Sequence, residues 1–488
     1  MPEVASVSSK SSKAHSATRH IISINDLSNR EIESLFEVAQ SFLDELPDPQ
    51  FSYKIGRSTN IASKYILASL FYEPSTRTRL SFESAMLRLG GQTITSADPA
   101  TSSAAKGESL ADSVRVISNY ADIIVIRHPR DGAARLAAEY SPIPVINGGD
   151  GSHEHPTQTL CDLFTLKKKN RSLKNLKVAI AGDLKGSRTI HSFVYALARF
   201  GANIVPMAAK GMELPAHVDR RLREEFRCDL VPGDEGSIDA LYRTPDEPHQ
   251  PALFSGPEFE FKLKVRKDKI DALYVTRFQK ERWAEKEQTY PKIDAKFLRG
   301  EKYSHASVLH PLPRVGELDV GLDSDTRAVY FEQAAYGVPV RMALIALLLG
   351  LHKSKSLNKF EGGFETPSVL LYEQPLAIGI RCLNANCISH ESMEAPYVRN
   401  KFYVLKANTR NAKLRCVYCE SDIDQFVVAH KKHKWFTDDC AALASAASDH
   451  LKELVVFADA NEATKSGYHS KKATAGSKPS QRVSAKSG

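Results

Sequence analysis

The chain has 488 residues, 42% of them hydrophobic and 25% charged, the mixture of a globular protein with apolar side chains for more than one core. Its formal charge of +8 sits mostly at the ends, with Lys10, Lys13 and Arg19 against Glu3 at the start, and Lys465, Lys471, Lys472, Lys478, Arg482 and Lys486 against Glu462 at the finish. The stretch between has no long basic stripe and no apolar run near the ~20 residues that cross a bilayer, so neither specific nucleic-acid binding nor a membrane span is expected.

Residues 1–20 are Ser-rich and basic and read as a disordered tail without a secretory apolar stretch. From 21 to 152, helical stretches alternate with short apolar runs that end at polar residues. These are Ile66–Phe71, Ile123–Ile126 ending at Arg127, and Pro144–Ile146 ending at Asn147-Gly148-Gly149. A second unit, 153–334, repeats the pattern with Val178–Ile180, Ala272–Thr276 and Ser307–Leu309, each followed by a polar turn. The expected fold class is α/β: two doubly wound parallel-sheet domains facing a cleft at the carboxyl ends of their strands. Residues 231–268, rich in Pro and Gly, read as an insertion. The helix over 335–352 is apolar nearly all round and is expected to return to the first domain. Residues 353–371 read as a linker, 372–430 as a small β-rich zinc-binding module, and 431–488 as a helical or disordered basic tail.

Ser75-Thr76-Arg77-Thr78-Arg79 lies where a strand turns into the amphipathic Leu80–Leu89 helix. Free N–H groups, the helix dipole and guanidinium forks converge there on one point, which suits an anion. The same pattern also suits a plain N-cap with two solvated arginines. Arg127 at one strand end and His155-Pro156-Thr157-Gln158 at a helix start supply the donors that an acyl phosphate needs, although a lone histidine also fits a structural role.

Together with His310-Pro311-Leu312-Pro313-Arg314, and with Phe71-Tyr72-Glu73-Pro74 ahead of Ser75, these elements resemble the carbamoyltransferase family in order and spacing across roughly residues 21–352. The resemblance implies that Ser75, Thr76, Arg77 and Thr78 hold phosphate and that Arg127, His155 and Gln158 bind the carbamoyl group. Thr78, Arg127 and His155 would donate to its oxygen. It also implies that the backbone carbonyls of Leu312 and Pro313 lie near the carbamoyl amide. Asp183–Arg188 and Arg277-Phe278-Gln279 look like the elements of aspartate-using members, with Arg188 and Arg277 forking two carboxylates and Gln279 assisting. The loop Thr101–Glu108 resembles the segment that enters a neighbouring subunit's site, with Ser102 and Lys106 at the matching positions. A homotrimer or dimer of trimers with shared sites is therefore expected, in which Lys106 serves both substrates and the chemical step. Ala105 and Gly186 depart from the family, standing where many relatives have lysine and tyrosine. The implied reaction converts carbamoyl phosphate and L-aspartate to N-carbamoyl-L-aspartate and phosphate, the second step of de novo pyrimidine biosynthesis, without a catalytic cofactor.

Of seven cysteines, Cys382-x4-Cys387 and Cys416-x2-Cys419 form two close pairs separated by 28 residues. Four thiolates in this spacing suit tetrahedral zinc in a closed, structural site, one per chain, and point to a reducing compartment, here the cytoplasm. The surrounding residues resemble the zinc domain of the regulatory chain of bacterial aspartate carbamoyltransferases. Only 30 residues separate Leu351 from Cys382, too few for that chain's nucleotide-binding domain.

Overall fold

The computed structural model describes residues 18–44, 59–97, 103–208, 211–230, 269–279, 292–352, 376–377, 382–398, 401–406, 412–437, 453–457 and 459–470. The expected insertion at 231–268 and linker at 353–371 lie outside them, as does Ser102. Contacts divide the chain into two units, one comprising Met1–Pro367 with Asn386–Val398, the other Ser368–Ala385 with Arg399–Gly488.

In the first unit, α1 (Asn29–Asp44) starts at a reciprocal cap in which Ser28 N–H donates to Glu31 and Glu31 N–H donates to Ser28 Oγ. Strands β1 (Ile66–Phe71), β2 (Gln92–Ser96), β3 (Ile123–His128) and β4 (Val145–Asp150) form an all-parallel sheet in the order β2-β1-β3-β4. The central β1 and β3 are Ile, Leu and Val runs because helices cover both faces, as parallel sheets require. Between them run α2 (Thr76–Arg88), α3 (Leu110–Ile117) and α4 (Ala133–Tyr140), and α5 (Pro156–Asn170) leads to the next sheet. There β5 (Lys177–Gly182), β6 (Asn203–Ala208), β7 (Ala272–Val275) and β8 (Ser307–Leu309) pair in parallel in the order β6-β5-β7-β8, with α6 (Arg188–Arg199) and α7 (Ala216–Glu224) following β5 and β6. Pro206 is tolerated in β6 because that strand is an edge.

The long helix α8 (Tyr330–Leu348) returns to the first sheet and packs against α1, α2 and α5. It carries apolar residues on every side, and past its partly exposed start it is buried almost throughout from Tyr336 to Leu347. Its Tyr336 ring meets Phe164 of α5 edge-on at 5.4 Å, and Phe36 of α1 meets the same Phe164 at 5.4 Å. Each such ring buries enough apolar surface to contribute roughly 1.5–3 kcal/mol. The buried Arg341 on α8 is accommodated by bonds from Nη1 to Gly337 O (3.0 Å) and Cys161 Sγ (3.4 Å), with its guanidinium 5.0 Å from the Phe82 ring.

Asn386–Val398 belongs to this unit although it lies far along the chain. Asp131 N–H donates to Asn386 O at 3.1 Å and Ile388 N–H donates to Asp131 O at 2.9 Å, a backbone bridge in front of α4. Glu394 accepts from Leu110 N–H at the start of α3, and Tyr140 Oη donates to Tyr397 O at 2.8 Å.

The second unit holds two small sheets. Strands β9 (Leu376–Ala377), β10 (Lys401–Lys406), β11 (Ala412–Cys416) and β12 (Asp422–Ile423) are antiparallel, in the order β12-β11-β10-β9. Next come β13 (Val427–His430), β14 (Trp435–Thr437), β15 (Leu454–Phe457), the short helix α9 (Ala460–Lys465) and β16 (His469–Ser470), sheet order β15-β13-β14-β16. The expectation of a helical or disordered tail from 431 is corrected here. Val427, Ala429, Phe436, Phe457, Ala463 and Tyr468 form a core of their own. The exposed turn at 431–434 and the basic residues past 470 masked this pattern in the sequence.

Candidate active site

Every strand of the two larger sheets that borders the cleft delivers a functional group at its carboxyl end, because parallel strands pointing one way leave their C-terminal turns on one rim. The cleft, of about 310 Å³, is lined on one side by Ser75, Thr76 and Arg77 and on the other by Arg188, Arg277 and Gln279. Between them it meets Arg127, His155, Gln158, Leu312 and Pro313. Ser75 is the N-cap of α2 but its side chain makes no capping bond, so the hydroxyl is spared for the cleft. Thr78, on the first turn of α2, is buried and not among the lining residues. Lys106 ends a 3-10 turn, Ser103–Lys106, exposed and outside the lining of this chain's cleft.

Gly149 shows how tightly the central groups converge. Its φ is +111°, and a Cβ there would lie 3.1 Å from Arg188 Nε, 3.2 Å from Arg127 Nη1 and 3.2 Å from His155 Cδ2. Only glycine gives both the backbone angle and the room. Glu73, after β1, spans two of these cations. Its Oε2 is 2.7 Å from Arg188 Nη1 and 3.4 Å from Arg127 Nε, and its Oε1 accepts from Arg188 Nη2 at 2.9 Å. Arg188 Nη1 also donates to Gly151 O at 2.8 Å, so the guanidinium is fixed in a fork rather than free to swing.

His155 caps α5. Its Nδ1 accepts from Gln158 N–H at 3.4 Å, which places the ring proton on Nε2. Burial, reinforced by Arg127, Arg188 and Arg341, holds its pKa well below the ordinary histidine value. The ring is therefore neutral at pH 7 and offers one N–H donor, with no charge of its own to neutralise an anion.

Four arginines line the cleft, and among the described residues no acidic side chain does. Arg77 has its pKa lowered by burial and then by the facing Arg277, a pair of like charges that an anion between them would relieve. On the wall formed by the second sheet Asp183 accepts from Gly186 N–H at 2.7 Å and Gln279 N–H at 3.2 Å, tying the turn after β5 to the segment after β7. Past β8, His310 Nδ1 accepts from Leu312 N–H at 2.8 Å and its Nε2 bonds Glu317 Oε1 at 2.7 Å. That pair shapes the turn whose Leu312-Pro313 bond is cis.

Comparison with known proteins gives this arrangement a family. Residues 19–168 match the carbamoyl-P binding domain of aspartate/ornithine carbamoyltransferases, and residues 250–348 match the Asp/Orn binding domain. The aspartate carbamoyltransferase catalytic subunit of Methanothrix thermoacetophila is 42% identical over 337 residues, which cover 68% of this chain and 98% of the relative. The chain belongs to the aspartate carbamoyltransferase family. A solved catalytic subunit of M. jannaschii aspartate transcarbamoylase superposes with a TM-score of 0.55 at 42% identity, covering 68% of this chain and 98% of the other. Aspartate transcarbamoylase from Trypanosoma cruzi, solved in complex with carbamoyl phosphate and aspartate, gives 0.53 at 31% identity, covering 67% and 95%.

Residues 377–429 match the metal-binding domain of the aspartate carbamoyltransferase regulatory chain. Their four thiols, those of Cys382, Cys387, Cys416 and Cys419, are buried with sulfur atoms within 4.8 Å of one another, and Cys382 and Cys419 approach to 3.4 Å. Four sulfurs at about 2.3 Å from a tetrahedral ion would be about 3.8 Å apart. The donor set therefore fits such a metal. Sequence reading assigned no role to Glu73, which pairs with two of the cleft arginines, or to Ser187 and Thr189, which line the cleft. A carboxylate at a strand end beside Pro74 was the available signal for Glu73. The hydroxyls of Ser187 and Thr189 had none beyond their place ahead of α6.

Proposed function

We propose that this aspartate carbamoyltransferase binds carbamoyl phosphate with its phosphate against Ser75, Thr76, Arg77 and Thr78, and its carbamoyl group against Arg127, His155, Gln158 and the Leu312 and Pro313 carbonyls. Aspartate follows, its carboxylates taken by Arg188 and Arg277 with Gln279 assisting. Charge carries this reading. Four guanidiniums line the cleft and among the described residues no acidic side chain does, a surplus of positive charge that suits a phosphate dianion and a dicarboxylic acceptor together. The aspartate α-amine forms a C–N bond to the carbamoyl carbon as the C–O bond to phosphate breaks, and the amine proton leaves with the phosphate. Negative charge building on the carbonyl oxygen meets the neutral His155 N–H, the Arg127 guanidinium and the Thr78 hydroxyl. Glu73 holds Arg188 in position until the acceptor arrives.

The same reading makes the site an intersubunit one, with Ser102 and Lys106 from an adjacent chain completing the phosphate side. Exposed Leu80 and Leu87 on α2, and Ile94 on β2, whose outer edge pairs with no strand among the described residues, support a homotrimer or dimer of trimers, since such apolar surface beside a strand edge favours association. Zinc at the four cysteines would be structural, drawing on thiolate ligands that persist in a reducing compartment such as the cytoplasm. Among the described residues no helix is long and apolar enough to cross a membrane.

Assay of carbamoyl transfer with aspartate and ornithine side by side tests the acceptor; ornithine use at a comparable kcat/KM would refute it. Inactive Lys106→Ala and Arg77→Ala chains, dissociated and reassembled together, should regain about a quarter of wild-type activity if sites in a closed ring act independently. No recovery in mixed oligomers verified by mass would place Lys106 outside the neighbouring site.

A further inference from the structure

Asp162 is fully buried on α5 and lines no part of the cleft, yet it is the meeting point of two cleft segments. Its Oδ1 accepts from Gln158 Nε2 at 2.7 Å and from Gln333 Nε2 of α8 at 2.6 Å, while Oδ2 accepts from the Tyr274 hydroxyl of β7 at 2.9 Å. The Gln333 amide is oriented twice over. Its NH2 faces a carboxylate, and its Oε1 accepts from His310 N–H at 2.9 Å, a backbone group that can only donate. That bond anchors the turn carrying the Leu312 and Pro313 carbonyls.

Gln158 has only one such constraint, and it decides the chemistry of the cleft. An ionised carboxylate can only accept, so the Gln158 NH2 must turn toward Asp162, leaving its Oε1 to the cleft. Without Asp162, the amide could rotate by half a turn at little cost and present a donor instead. Burial pushes the Asp162 carboxyl up to about 6, so it remains an acceptor at and above neutral pH.

We propose that Asp162 is the positioning residue that sets substrate selectivity, by fixing Gln158 as an acceptor for the NH2 group of carbamoyl phosphate and so separating it from acyl phosphates that lack this group. A site built to bond a substrate N–H discriminates strongly against an analogue without it, because its own polar group is left unpaired. This rests on the cleft being the carbamoyl phosphate site.

The test compares kcat/KM for carbamoyl phosphate and for acetyl phosphate, which keeps the phosphate and carbonyl but replaces NH2 with CH3, at pH 8 with aspartate saturating. Asp162→Leu removes the acceptor at similar volume, and Asp162→Ser, which leaves room for water, serves if the leucine variant does not fold. The ratio of the two kcat/KM values should fall at least about tenfold, with the inhibition constant of inorganic phosphate changed less than about threefold. Gln158→Met should lose the same discrimination, and combining it with the Asp162 variant should add little. Asp162→Asn should keep most of it, because an amide oxygen at the Oδ1 position still accepts from both glutamines and the Tyr274 hydroxyl can rotate to accept. An unchanged ratio in the leucine or serine variant, or an equal loss of all three ligands, would overturn the proposal. Wild-type protein inactive with carbamoyl phosphate would instead overturn the reading of the cleft.

Discussion

Around the cleft, charged side chains are held by a continuous apolar core through α1, α2, α5 and α8, whereas around the four cysteines the strands are as short as two residues. The sheet formed by β13–β16 has a core of six side chains. A large core can fix Arg188, His155 and Asp162 through backbone position alone, and it tolerates the desolvation of each because their partners arrive pre-placed. A small one leaves the entropy of its loops nearly uncompensated and needs a crosslink. Rigidity thus comes from burial in one region, whereas the four clustered cysteines of the other would supply it by coordinating a metal.

Metal removal should separate them most sharply. Apparent binding energies of structural zinc sites run to roughly 10–16 kcal/mol, so chelation or replacement of Cys416 and Cys419 by Ser should unfold the strands around the cysteines. Hydrogen exchange should lose protection across 401–423, while the β1, β3 and β5 amides keep theirs. A metal-free protein with unchanged exchange in β10 and β11 would break the comparison. Next in size are the cleft cations. Arg77→Ala should damage saturation by carbamoyl phosphate, and Arg277→Ala saturation by aspartate. Each lost charge-assisted contact is worth roughly 1.5–3 kcal/mol, about ten- to a hundredfold in kcat/KM, without unfolding the core that carries them. Initial rates with each substrate varied in turn will show whether the two effects are separate; equal damage to both saturations by either variant would contradict the assignment.

The smallest effect concerns pH. Burial lowers the pKa of His20 and His128 to about 4, and those of His155 and His310 fall as well. Below the unfolded value near 6.5, the unfolded chain binds protons that the folded chain refuses, so these groups lower stability as pH falls. Asp162, raised to about 6, and Glu394, also raised, act in the opposite direction. The four histidines outnumber them, and urea midpoints should shift to give a loss of roughly 1–3 kcal/mol between pH 7.5 and pH 5. A gain over that interval would show that the carboxyls dominate.

Strands β1 and β8 were legible residue for residue, and β3, β5 and β7 nearly so, because each is a buried apolar run stopped by a polar turn. The edge strands β2 and β6 were not. Gln92–Ser96 exposes most of its side chains and Asn203–Ala208 contains a proline, so neither carries the pattern that burial imposes. Within the site, Arg127, His155 and Arg277 stand out from their places at element ends, whereas Gln158 and Arg188 were reached through the family resemblance. Asp162 and Gln333 could not be picked out, since their meaning lies in a contact between residues 171 positions apart.

The bridge between Asp131 and the segment Asn386–Val398 has a bearing on how the polypeptide can be divided. In linear order, the catalytic half finishes with α8 and everything beyond Leu351 looks like a detachable appendix. In space, a thirteen-residue stretch of that appendix completes the surface of the first half. A chain stopped after α8 would expose the backbone of Asp131, leave the Leu110 N–H at the start of α3 without its Glu394 acceptor and leave Tyr140 without its carbonyl. The fusion therefore cannot be undone with one pair of scissors. Any shortened version that keeps this surface closed must carry the loop from Asn386 to Val398 with it, grafted or supplied as a separate strand.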